Sequence, residues 1–99
     1  MKEEKEFRKD LWEKFTGYRK KVTKIIIRHN CLVGKSKDEI IRLLGKEDNY
    51  YDLNEWSYFV KKNIFGGETY LLVHFAGDFV EKQRLFTIYS YKNTPILSI

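Results

Sequence analysis

In the first half of this chain apolar residues recur every three or four positions, and from about residue 50 they alternate with polar ones. The two periods belong to different backbones. A helix turns once in about 3.6 residues, whereas a strand shows the same face every second residue. The change of period predicts an α+β fold: two or three N-terminal helices packed on one face of a three- to four-stranded antiparallel meander sheet. At 99 residues the chain is read as a single domain over 1–99, with one core and no need of disulfide or metal staples.

The first helix is expected over roughly Glu4 to Phe15, with Phe7, Leu11 and Phe15 as its apolar stripe, Trp12 beside Leu11, and Gly17 as the break. The second runs from about Tyr18 to Asn30. Tyr18, Val22, Ile25, Ile26 and His29 fall on one face and Lys20, Lys21, Lys24 and Arg28 largely on the other. Three consecutive isoleucines make a strand at Val22–Ile27 the alternative. The third helix carries the clearest local signal, a capping box at Ser36-Lys37-Asp38-Glu39. Ile40, Ile41, Leu43 and Leu44 supply its buried face, and Gly45 is placed to end it.

From Glu55 onward the pattern is strand. Trp56, Tyr58 and Val60 alternate with Ser57, Phe59 and Lys61, and Gly66-Gly67 marks a hairpin connection. Leu71, Val73 and Phe75 take one face of the next strand, with Tyr70, Leu72 and His74 on the other. After a turn at Ala76-Gly77-Asp78, a long strand is expected over Phe79 to Tyr91. Neither of its parities is apolar throughout, so a bulge is expected near Gln83. Asn93-Thr94-Pro95 should turn the chain, leaving Ile96-Leu97-Ser98-Ile99 to join the sheet edge or meet a partner.

Composition excludes several classes. With 42% apolar and 16% aromatic residues the chain is too hydrophobic for disorder. One cysteine, Cys31, permits no internal disulfide and reads as a small hydrophobe. Neither His29 nor His74 has a neighbour at zinc-like spacing, and Gly34-Lys35-Ser36 lacks the upstream glycine of a phosphate loop. Asp10 with Glu13, and Glu47 with Asp48, read as surface pairs. The expectation is a protein that is not an enzyme and has no cofactor and no metal. No apolar run reaches the ~20 residues needed to span a membrane. The charged N-terminus carries no export signal, which makes a cytoplasmic location the default, or the cell envelope if a signal or lipid-attachment segment has been removed.

The net charge of +5 is uneven, +7 over residues 1–46 and −2 over 47–99. Its peak, Lys14 to Arg28, contains Arg19 and no acid. The candidate partner surfaces are the basic residues Lys20, Lys21, Lys24 and Arg28, the linker residues Tyr50 and Tyr51, and the off-core residues Phe59, Tyr70 and Leu72. Aromatics on an open sheet face suit protein recognition, and a basic helix suits an acidic partner or nucleic acid.

One series of motifs resembles a known family. Leu32-Val33-Gly34-Lys35-Ser36-Lys37-Asp38-Glu39-Ile40-Ile41-Arg42-Leu43-Leu44-Gly45, then Trp56-Ser57-Tyr58, Leu71-Leu72-Val73-His74-Phe75 and Gly77-Asp78-Phe79-Val80 are similar to the SmpA/OmlA (BamE-like) small lipoproteins over residues 32–82. The resemblance implies two helices on a small antiparallel sheet, an architecture shared with β-lactamase-inhibitor-like domains. It also implies non-enzymatic work, scaffolding or protein inhibition. Gly34, Ser36, Glu39, Leu44, Gly45, Trp56, Tyr58 and Phe75 would carry the fold, not a function. The sequence departs from the pattern at Glu47, where the family has proline, and it lacks the lipid-attachment cysteine. Together these readings point to a non-catalytic protein-binding or structural domain, with nucleic-acid binding through Lys14 to Arg28 as the alternative and the oligomeric state open.

Overall fold

A computed structural model describes residues 7–89 of the chain. Three helices precede three strands among them: α1 Lys9–Lys14, α2 Thr16–His29, α3 Lys37–Leu44, β1 Glu55–Lys62, β2 Glu68–Ala76 and β3 Phe79–Ile88. The strands form an antiparallel meander in the order β1-β2-β3. The expected α+β class, with helices ahead of an antiparallel sheet, is what the chain adopts. The fourth strand allowed for at Ile96–Ile99, the expected start of the first helix at Glu4 and the end of the last strand at Tyr91 lie outside the described residues.

The helical boundaries correct the sequence reading. The first helix among the described residues begins at Lys9, and the break after it falls at Phe15, which is extended (φ −129°, ψ 115°), not at Gly17. Extension at Phe15 leaves its ring 57% exposed, so the residue of α1 that enters the core is Trp12. Gly17 sits in the first turn of α2. Asn30, in the left-handed conformation, ends that helix, and its N–H bonds back to Ile26 and Ile27. The strand alternative at Val22–Ile27 is not realised, because burial of Ile26 against the sheet outweighs the weak helix propensity of isoleucine. The buried stripe is also rotated from the expected one. It runs through Arg19, Thr23 and Ile26, Tyr18 and Val22 are half-buried, and His29 is exposed.

Helix α3 forms as its capping box predicts. Ser36 Oγ accepts from Glu39 N–H at 3.2 Å and Glu39 Oε1 accepts from Ser36 N–H at 2.8 Å. The bond from Ser36 N–H holds the Glu39 carboxyl below the usual carboxylate range. Gly45, at φ +82°, ends the helix.

The inner sheet face presents Trp56, Tyr58 and Val60, then Leu71, Val73 and Phe75, then Val80. Against it pack Trp12, Ile26, Leu32, Ile40 and Leu44. The Trp56 and Phe75 rings meet edge to face at 4.6 Å, a geometry worth about 0.5–1.5 kcal/mol beyond burial. The bulge expected near Gln83 is present, at Glu81: His74 pairs with Lys82 but Phe75 with Val80. It resolves the mixed parity of β3, because Val80 turns into the core while Lys82, Arg84, Phe86 and Ile88 all face outward.

Candidate functional site

The helices and the core cluster occupy one side of the sheet, and the other side carries a row of aromatic residues. Phe59 on β1, Tyr70 on β2 and Phe86 on β3 are direct cross-strand partners. None belongs to the core cluster. Phe59 and Tyr70 meet edge to face at 5.8 Å. One register step away, Ser57, Leu72 and Arg84 form the next row, and the Arg84 guanidinium lies 5.4 Å from the centre of the Phe86 ring. Leu72 is only 8% exposed, so it is the floor of this surface and not a decoration on it. Tyr70 donates its hydroxyl to Glu68 at 2.6 Å, which raises the hydroxyl pKa above its ordinary value and fixes the ring.

The structure therefore joins Phe59, Tyr70 and Leu72 on one surface and adds Phe86 and Ile88, which the sequence reading did not single out. The bulge explains the omission, since it shifts the parity of β3. A second omission is the β1–β2 hairpin tip, where Ile64 is 91% and Phe65 97% exposed. The available signal was two large apolar residues set between Asn63 and Gly66-Gly67, within a turn.

Tyr50 and Tyr51 lie elsewhere, on the helical side. Tyr50 C=O accepts from the Trp56 indole at 3.0 Å. Tyr51 donates to Asp38 at 3.1 Å, and its C=O accepts from Lys37 Nζ at 2.7 Å. Lys37 is buried, with its ammonium 5.3 Å from the Tyr51 and Phe75 ring centres and 5.9 Å from Trp56. Its role is to tie α3 to the linker. Lys20, Lys21, Lys24 and Arg28 are all exposed on α2. Arg19 is not part of that basic surface. Its side chain is 11% exposed, stacks 4.5 Å over Trp12, pairs with Glu47 at 2.8 Å and donates to the C=O of Phe59 at 2.7 Å. Glu47, read from sequence as one of a surface pair, thus anchors β1.

The titratable and metal-ligating side chains among the described residues are placed as follows. Among the described residues, no three His, Cys, Asp or Glu are grouped to hold a metal ion. Cys31 is half-buried with its thiol toward Ile25 C=O at 3.8 Å, beside an apolar cavity of about 40 Å³ between α2 and α3. His74 lies 3.9 Å from Glu55 and 3.7 Å from Glu81 on the outer sheet face, open to solvent on that side. No helix of the described residues is long and apolar enough to cross a membrane.

Comparison with known protein families, curated proteins and solved structures finds no match to this chain.

Proposed function

We propose that this domain is a non-catalytic protein-binding module that recognises its partner through the outer sheet face. The observation that carries this reading is the row of Phe59, Tyr70 and Phe86 across all three strands, outside the core cluster and on the side away from the helices. Aromatic residues held rigid by a sheet lose little freedom on binding, and clustered apolar surface with a charged rim is the anatomy of recognition sites. Lys62, Lys82 and Arg84 supply part of that rim. The likeness of residues 32–82 to the SmpA/OmlA pattern favours the same class of role, and with it a bacterial cell envelope. The proposal does not depend on it.

The test is selection of displayed random peptides on the full-length chain. Peptides that bind the wild type should lose at least about tenfold in affinity for Phe86→Ser, an exposed position, and keep their affinity for Lys20→Glu/Lys24→Glu. Failure to recover any peptide sensitive to Phe86 would reject the outer face as the recognition surface.

A second reading rests on α2, which contains no acid and exposes four cations. It requires affinity for a mixed-sequence duplex or single strand that falls steeply with salt. Absence of binding at low salt removes it.

A further inference from the structure

The two edges of the sheet are treated differently. On β1, the groups of Ser57 and Phe59 that point away from β2 are sealed by side chains. Asn49 donates to Ser57 C=O at 3.0 Å and accepts from Ser57 N–H at 2.9 Å, as a neighbouring strand would. Arg19 and Glu47 do the same for Phe59, at 2.7 Å and 3.3 Å. On β3, only the beginning is covered. Val80 exchanges bonds with Gly34 and Lys35 at 2.9 and 2.8 Å, and Lys37 N–H reaches Asp78 C=O at 3.0 Å.

Along an antiparallel strand, successive residues direct their N–H and C=O groups to opposite sides, so one outward residue fixes the direction of its neighbours. Ser57 and Phe59 point away from β2, so Tyr58 and its partner Leu71 point toward each other. Tyr70, Leu72 and His74 then bond to Phe86, Arg84 and Lys82. Gln83, Leu85 and Thr87 are left with their N–H and C=O groups directed outward, and nothing among the described residues bonds to them. Leu85, Phe86, Ile88 and Tyr89 are exposed along this stretch. An apolar edge with unpaired backbone groups is a template for another strand.

We infer that this edge pairs with the same edge of a second copy, antiparallel about Leu85, to give a six-stranded sheet with both helical layers on one side. The register is argued from the edge itself. Centring on Leu85 sets Leu85 against Leu85 of the second copy and Gln83 against its Thr87, so every outward group meets one of its kind. On the outer face this register sets Arg84 against the second copy's Phe86, repeating the cation–ring contact already present within the chain. It sets Lys82 against an isoleucine, Ile88, so no like charges stand opposite. The pairing uses backbone groups at the edge and meets the recognition surface only along β3, at Arg84 and Phe86.

Sedimentation of the full-length chain from micromolar to millimolar concentration tests the inference. A concentration-dependent dimer is expected. Leu85→Lys, which places two ammonium groups at the two-fold axis, should weaken it by more than about tenfold while leaving the circular dichroism spectrum unchanged. Leu85→Cys in a Cys31→Ser background should cross-link under mild oxidation, because Cα atoms of such a pair lie about 5.5 Å apart, within disulfide reach. A monomer throughout the range overturns the inference, as does a dimer indifferent to Leu85→Lys. A monomer whose Gln83, Leu85 and Thr87 amides resist hydrogen exchange also overturns it, and would assign the edge to the chain's own residues. Loss of peptide binding in Phe59→Ser, a residue of β1 remote from this edge, with the dimer intact, or the reverse in Leu85→Lys, separates this inference from the recognition reading.

Discussion

Thr23 is 1% exposed and its hydroxyl finds no hydrogen-bond partner. A buried hydroxyl without a partner costs roughly 1–3 kcal/mol relative to its hydrated state, and valine has nearly the same volume and shape. Thr23→Val should therefore stabilise the fold by about 1 kcal/mol. The check is a urea titration in which the midpoint rises while the slope stays constant; a lower midpoint would mean that a water satisfies the hydroxyl. Residues of this kind mark where sequence patterns end. Ser36 and Glu39 were legible because their partners are three residues apart and the capping box is a local rule. Arg19 was not. Its partners, Trp12, Phe59 and Glu47, come from separate elements, and a periodicity argument assigns any arginine to the solvated face.

At the scale of elements, alternation identified β1 and β2 and the side of each that enters the core, because both show a strand's two-residue period with little interruption. The α1–α2 break was misplaced because the first turn of α2 accommodates Gly17, and the extended residue is Phe15, which no helix-breaking signal marks. The β3 bulge at Glu81 is a backbone adjustment that brings an apolar residue, Val80, to the core. The tip of the β1–β2 hairpin sets a sharper constraint. Gly66 and Gly67 both have positive φ, +93° and +95°, but only at Gly67 would a Cβ collide with backbone, 2.7 Å from Ile88 C=O. Gly66→Ala should cost the left-handed strain alone, about 1–2 kcal/mol. Gly67→Ala should cost clearly more, since Ile88 and the end of β3 must move away. Measured side by side by thermal denaturation, equal losses would show that the close approach of the hairpin to β3 contributes nothing.

For the molecule as a whole, which face was open could be read only after the register was known. Phe59, Tyr70 and Leu72 were assigned to it by parity, but Phe86 reached it through the bulge, and the edge asymmetry depends on hydrogen bonds that no sequence pattern displays. The helical layer and the sheet meet at Tyr58, which makes the whole fold sensitive to alkali. Tyr58 is fully buried, touches Trp12 at a ring distance of 6.3 Å and donates its hydroxyl to Gly45 C=O at 2.7 Å. Burial first, and then the charge of Glu47, push its pKa above the ordinary tyrosine value. In the unfolded chain the same hydroxyl ionises near pH ~10. Below that pH both states hold the proton and Tyr58 contributes no pH dependence. Above it the native state keeps a proton that the unfolded state has released, so stability falls as pH rises, by up to about 1.4 kcal/mol per pH unit. Tyr58→Phe removes that dependence and at neutral pH costs about 1 kcal/mol, the bond to Gly45. Urea midpoints taken from neutral to strongly alkaline pH should then show the advantage of the wild type over Tyr58→Phe shrinking once the pH passes about 10. An advantage that stayed constant across that range would mean that Tyr58 ionises as readily in the folded protein as in the unfolded chain, and that the core around Trp12 admits water.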